Sequence, residues 1–519
     1  MPDPSPSPWV SRTLLLFLLG ITTALAETPQ AVAPTQPTAP ATLTLSIQDA
    51  IALAIQNNLD VAIERINPAI ARTDISVADG SYDPRARVDI QYGERSTPRS
   101  AEQQAADGLS STNARNTRSS VGLTQKTPLG TEVGLEARNT NSENTFNSFR
   151  NEFNSFAGLT ITQPLLKDAG SDVNLASRRI AIKGVLSSDQ TFYHSVEGII
   201  QDVLKTYHEL LFSVADADSK RASLVLAEQL VADNQARLDL GTATPLDVSQ
   251  AQSEAASRFG QVLDADLSIY QNANQLKRLI SRNITELLPT RLQLTDALTS
   301  PGLSPDPIHS AATGLENRRD YRSQLHLAEQ DDIQLTFDKN QLLPVVDLRG
   351  SLGYSGLGPT FRRSWNKVAD TRDEDWSVGL AVEIPLGSSS ERARRDATQL
   401  RKEQRLLRIK DLEQSIIVEV DNAARAVSIN KQKFDTSRSA RIYAEQVAEA
   451  EARKLKEGIS TGYTVLQLQR DATEARTQEL RSMVNYRNAL TDLLRAQGTL
   501  LTEYRVDLPG QNPNLKSSP

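Results

Sequence analysis

The chain states one structural unit twice. Around Gly241 it reads RLDLGTATPLDVSQAQSEAASR, and around Gly458 it reads KLKEGISTGYTVLQLQRDATEAR, each between two long charge-rich stretches. Upstream, GLTITQPLL (Gly158 to Leu166) is answered by GLAVEIPLG (Gly379 to Gly387), and YDPRARVDIQYGE by LLPVVDLRGSLGYSG. The offset is 260 residues between Pro84 and Pro344, 221 between Gly158 and Gly379, and 217 between Gly241 and Gly458. The pattern predicts a duplicated unit of helix, strands, long helix, tight turn and returning helix.

Composition narrows the class. Aromatic residues make up 5% and charged residues 23% of 519 positions, a balance suited to long helices. The net charge of −7 gives no argument for nucleic acid. Cysteine is absent, which excludes disulfides, thiolate metal sites, cysteine catalysis and a cysteine-linked lipid anchor. Arg12, the apolar run Leu14 to Leu25 and the small residues Ala24 to Ala26 read as an export signal over residues 1–26. A Pro/Ala/Thr-rich linker follows at 27–42. No later segment holds eighteen consecutive apolar residues, so any membrane contact must be made without a spanning helix.

Strands remain. Ala86, Val88, Ile90 and Tyr92 alternate with Arg87, Asp89 and Gln91; Ala157, Leu159 and Ile161 alternate with Gly158, Thr160 and Thr162. In the second copy Val346, Leu348, Gly350 and Leu352 alternate with polar residues, as do Val378, Leu380, Val382 and Ile384. Period-two segments at 86–94, 154–164, 345–354 and 376–385, one face apolar and one polar, suit a lipid-facing barrel with a wet lumen. The first copy adds SSVGLTQKTPLGTEVGLEAR (Ser119 to Arg138), a hairpin without counterpart that either widens the barrel or stands above it.

The rest is helix. Ile200, Val203, Tyr207, Leu210 and Val214 mark one face of a rod from about Val173 to Leu240, about 100 Å long. Ile416, Val420, Ala424 and Val427 mark its counterpart from Ser389 to Glu457. Each rod ends at a glycine and is followed by a returning helix, giving hairpins over 173–282 and 389–502. Rods of such weak hydrophobicity need partner faces.

With these elements in order, twice, the chain resembles the TolC-type outer-membrane efflux protein family over roughly Leu45 to Tyr504. The specific pieces are the turns GTATPLDV and GISTGYTVL, the strand endings at Pro164 and Pro385, and the opening helix LSIQDAIALAIQNNLDVAIERI with Ser46 as cap and Asp49 three residues on. LENRRDYRSQLHLAEQDDI from Leu315 echoes that helix. The resemblance implies a mainly helical fold with a β-barrel part: long antiparallel helical hairpins forming a tunnel, and a transmembrane barrel shared by three chains. It implies repeats at 43–300 and 301–505, a tail at 506–519, the cell outer membrane as location with a large periplasmic portion, and no enzyme activity or cofactor. The implied function is conduction from an inner-membrane pump and periplasmic adaptor to the exterior. The implied partners are two further copies of the chain, that pump and adaptor, and outer-membrane lipid.

The resemblance also assigns sites. The hairpin tips, Gly241, Thr242 and Pro245 in the first repeat and Gly458, Ile459 and Gly462 in the second, are the implied adaptor-docking surface. The implied periplasmic gate comprises Asp247 with Thr464 and Gln467 at the matching positions, and Ser460 where the family carries a basic lock. Three of these four are uncharged, which implies a weaker gate or altered selectivity. The plainer reading of Asp247 is a helix-end carboxylate favoured by the dipole.

Other chemistry fails on inspection. His194, His208, His309 and His326 lack metal-ligand spacing and read as solvated positions, and no nucleophile–base pair stands out. GYSGLGP from Gly353 lacks the Lys-Ser/Thr ending of a phosphate loop and reads as a strand tip. Glu391 to Lys410 holds eight Lys/Arg against three acids, either a solvated helix face or a contact for inner-leaflet phosphates. The competing functional reading is a periplasmic coiled-coil adaptor or scaffold without a pore.

Overall fold

The computed structural model describes residues 42–506 and 508, apart from 147, 301, 303 and 304. The export signal, the linker up to residue 41 and the tail beyond residue 508 lie outside the described residues. The first repeat runs β1 (Thr42–Leu45), α1 (Ile47–Asn57), α2 (Leu59–Asp79), β2 (Arg85–Pro98), α3 (Ala101–Asp107), β3 (Ser111–Lys126), β4 (Glu132–Asn144), β5 (Glu152–Pro164), α4 (Ser171–Asn174), α5 (Ala176–Asp239), α6 (Pro245–Ile280) and α7 (Ile284–Leu287). The second runs β6 (Arg291–Leu294), α8 (Pro307–Asn317), α9 (Arg319–Asn340), β7 (Val345–Gly358), α10 (Phe361–Ala369), β8 (Glu374–Glu383), α11 (Ser389–Lys456), α12 (Gly462–Ala496) and α13 (Leu500–Glu503).

The duplication is visible in the breaks. The opening helix, expected to be continuous, is interrupted at Asn58, whose side-chain oxygen caps α2 by accepting from Asp60 N and Val61 N. Its counterpart breaks at Arg318, 260 residues later, the offset of the two prolines. Ser46 and Asp49 form a reciprocal capping box on α1.

The two rods span 64 and 68 residues and return through helices of 36 and 35. α12 packs beside α11 and also against α5, so the two hairpins join side by side. About midway along the rods, where the returning helices end, lie two apolar cores. One gathers α1, α5, α6 and α13 around Tyr207, Leu204, Leu276 and Leu500; the other joins α11 and α12 around Ile416, Val420 and Tyr486, with α8 against it. β1 and β6 pair in parallel, tying the starts of the repeats together.

Because α5 is contacted by α2, α6, α9 and α12, it buries more than one face. Glu197 is 1% exposed and His208 2% exposed, so His208 corrects the expectation of a solvated histidine. Its Nδ1 lies 3.0 Å from Asn488 Oδ1, and desolvation pushes its pKa down to about 4. Burial pushes the Glu197 carboxyl up to about 7 from 4.5, despite Arg319 Nε at 4.0 Å. Between those values the folded protein binds more protons at Glu197 than the unfolded chain does. This stabilisation is therefore complete below pH 4.5 and is lost as pH rises through 7. Glu197→Gln is expected to remove that slope and to raise stability at pH 8 by up to about 3 kcal/mol. Guanidinium midpoints of both proteins across pH 4.5–8 check this; parallel curves would contradict it.

Half of the cations in the basic run at 391–410 are paired, Arg395 with its neighbour Asp396. Lys402 meets Asp332 and Arg405 meets Asp331 on α9, while Lys410 meets Glu413 at 2.8 Å. Lys402 and Arg405 thus hold α11 to α9, which favours the helix-face reading over lipid contact for this part of the run.

Candidate functional site

Two surfaces correspond to the sites expected from the sequence. The first is a six-stranded antiparallel sheet in the order β2-β3-β4-β5-β7-β8. The unmatched hairpin is part of this wall: β3 and β4 lie between β2 and β5. Its Pro-Leu-Gly turn lies at the helical end of the sheet, where Gly130 (φ 90°) packs near Asp168 and Asn174. A hairpin standing above the barrel is therefore ruled out for this chain.

Register shows what the wall presents. Ala86, Leu123, Leu135, Leu159, Leu352 and Trp376 are successive cross-strand partners through all six strands. Val88, Val121, Ala137, Ala157 and Tyr354 form the adjacent row on the same face. That face is open: Val88 is 65%, Leu135 54% and Val378 70% exposed. On the opposite face Arg87 is in line with Glu136 and Asp375, and Asp89 with Arg138. There Phe156 is buried beneath Arg138, whose guanidinium carbon lies 4.6 Å from the ring centre. A continuous exposed apolar face backed by a charged one is what a barrel wall between lipid and water requires.

The second surface is the pair of hairpin tips. α5 runs out at Asp239, and Gly241 takes φ 74°, a conformation costly for residues with a Cβ. Thr242 N donates to Arg237 O at 2.8 Å, closing the helix end. Pro245 occupies the first turn of α6, and Thr244 and Asp247 form a capping box: Thr244 N and Oγ1 donate to Asp247 Oδ2 at 2.8 and 2.7 Å. Those hydrogen bonds hold the exposed Asp247 carboxyl below its usual range. At the second tip Gly458 takes φ 78° and Ile459 N donates to Lys454 O at 3.0 Å. Thr461 caps α12, which begins at Gly462, with Thr464 at the position of Asp247. Ser460 Oγ donates to Glu451 Oε1 at 2.6 Å, binding the turn to its own rod, and Gln467 is exposed on the next turn.

The tips are linked within the chain. Asn234 of α5 donates to Asp247 O at 3.3 Å and lies against Gly462. Farther along, Arg258 of α6 is 3% exposed and donates to Ser223 O at 2.9 Å and to Leu466 O of α12 at 3.1 Å. Glu254 accepts from Arg258 Nε at 3.1 Å and from Arg470 Nη2 at 3.2 Å. Sequence reasoning missed Arg258, yet it continues the buried stripe of Val248, Ala251, Val262 and Ala265 on α6. A cation in an apolar seam was the available signal.

The sequence profile of the outer membrane efflux protein family matches residues 125–282 and 313–499, which take in β4, β5, β7, β8 and both helical hairpins. The chain belongs to that family. The solvent efflux pump outer membrane protein SrpC of Pseudomonas putida is 23% identical over 320 residues, covering 61% of this chain and 66% of SrpC. The CmeC outer membrane channel of Campylobacter jejuni superposes with a TM-score of 0.64 at 14% identity, over 89% of this chain and 90% of CmeC. VceC of Vibrio cholerae superposes with 0.61 at 15% identity, over 87% and 96%. As an outer membrane efflux protein the chain has the fold of the TolC-type channels, and it resides in the outer membrane with a large periplasmic helical part. The alternative of a periplasmic adaptor or scaffold without a pore falls on the same findings. The family consists of transport proteins.

Proposed function

We propose that three copies of this chain form one exit duct, taking substrates from an inner-membrane pump and its periplasmic adaptor through the helical tunnel to the exterior. The observation that carries this is the wall: six strands with an apolar face and two unpaired edges, β2 and β8. In lipid every backbone group must be paired, so those edges must meet other chains. β2 runs away from the helices and β8 returns toward them, so β8 of one copy fits antiparallel against β2 of the next. Six strands from each of three copies make eighteen in all, a number that encloses a water-filled lumen. Membrane fractionation with detergent extraction tests this reading, and recovery in the soluble periplasm would overturn it.

In this assembly the tips face the adaptor through Gly241, Thr242, Pro245, Gly458, Ile459 and Gly462. Asp247 supplies the charge at the tunnel mouth, since Thr464 and Gln467 are neutral and Ser460 is held by Glu451. Three carboxylates around a narrow mouth favour cations. Asp247→Asn is therefore expected to lower cation preference in planar bilayers several-fold with little change in conductance. Unchanged selectivity would leave Asp247 as a capping carboxylate alone.

A further inference from the structure

The far end of the wall carries a helix that the duct reading does not use. α10 connects β7 to β8 at the end away from the long helices and leans back across β7 onto β5. It lies on the apolar face. Ser364 Oγ is 2.7 Å from Ser155 Oγ, which also accepts from Asn139 Nδ2 at 2.7 Å, and Ser155 shares the face of Ala157 and Leu159. Gly356 and Gly358 permit the approach: a Cβ on Gly356 would stand 2.1 Å from Ser364 O, and one on Gly358 2.8 Å from Ser364 N.

The helix is divided between two chemistries. Ser364 and Val368 are buried against the sheet. Phe361, 54% exposed, meets Phe153 edge-on at 6.4 Å and Trp365 at 6.1 Å. Arg362, Arg363 and Lys367 face solvent, and no ion pair engages them among the described residues. Asp370, Arg372 and Asp373 follow on the turn and Glu374 and Asp375 open β8; among the described residues no ion pair joins these acids to the α10 cations. Beyond this height the same face of the wall turns charged, with Arg115 on Glu94 at 3.1 Å.

An amphipathic helix whose aromatics and unpaired cations lie side by side over the outermost uncharged rows of the face, beside Gly356 and Gly358, matches a membrane–water boundary. Resting on the proposed duct and its orientation, we infer that α10 is a docking surface for the phosphorylated glycolipid of the outer leaflet. Arg362, Arg363 and Lys367 bind its phosphates, and Phe361 and Trp365 lie against the sugar–acyl junction. Charge complementarity selects this occupant. A neighbouring copy is disfavoured because α10 leans from β7 onto β5, toward the middle of the wall rather than over its edge strand β8.

The test uses the intact detergent-extracted protein, with native mass spectrometry of added bisphosphorylated lipid A and of the same lipid stripped of phosphate. The wild type should bind the phosphorylated form roughly tenfold or more tightly. The triple variant Arg362→Glu, Arg363→Glu, Lys367→Glu should lose that preference while keeping its outer-membrane location, oligomeric state and conductance. A triple Gln variant should fall between. Equal binding by wild type and the triple Glu variant, or equal binding of both lipids to wild type, would overturn the inference. Dissociation of the variant into monomers would assign α10 to an interface between copies and overturn it equally. A wild-type protein absent from the outer membrane would refute the duct itself, a separate failure.

Discussion

Leu135→Arg is expected to remove the protein from the outer membrane. Leu135 sits in β4, one strand of the unmatched hairpin, in the middle of the row from Ala86 to Trp376, and is 54% exposed on the apolar face. In water an exposed leucine replaced by arginine costs little. In lipid, a charge at mid-depth of a barrel wall costs about 2–4 kcal/mol per site, and the proposed assembly of three copies would carry three. Membrane yield should fall by an order of magnitude or more, with the chain degraded or aggregated in the periplasm. Glu136→Arg, one residue away on the charged face, should insert normally. Normal insertion of Leu135→Arg would mean that β3 and β4 stand clear of lipid.

The second large effect concerns the tips. Gly458→Trp should insert and assemble yet reduce export by an order of magnitude or more. No heavy atom lies within 4 Å of a Cβ built on Gly458, so a side chain there projects outward from the tip rather than into the fold. The left-handed backbone costs any residue with a Cβ roughly 1–2 kcal/mol, which the rods on either side can absorb. Gly458→Ala bears the same strain without the bulk and should export nearly as wild type. Comparing the two separates steric exclusion of the adaptor from damage to the turn. Equal export by wild type and Gly458→Trp would place docking elsewhere.

Much of the fold was legible because duplication supplied each signal twice. The rods were expected to end near Leu240 and Glu457, and they end at Asp239 and Lys456, because a glycine followed by a Thr cap is local chemistry. The strands were recognised where apolar and polar residues alternate, but β3 begins at Ser111, within the polar run STNARNTRSS, which has no alternation to read. α10 was missed for a related reason: nine residues give little period, and the glycines that admit it looked like a strand tip. The break at Asn58 was passed over because α1 and α2 share an apolar period across it, although an asparagine before Leu-Asp is a usable cap signal.

The candidate site was legible at its glycines and less so in its contacts. Asp247 was found by its spacing from Gly241, but its engagement by Thr244 emerges only from the turn geometry. Glu197 and His208 were unreadable as buried groups because a single-helix period cannot register how many helices surround a rod. α5 buries polar positions that a helix with one covered face would leave wet. Asn234 and Arg258 matter because they join α5 and α6 to α12, a relation set by how the two hairpins pack rather than by either sequence alone.

The central claim is that one chain supplies part of a wall that closes only between copies. Light scattering of the full-length protein extracted from outer membranes, with the detergent contribution subtracted, measures this directly. The predicted result is a protein mass three times that of one mature chain. A stable monomer, with both sheet edges unpaired, would contradict the account.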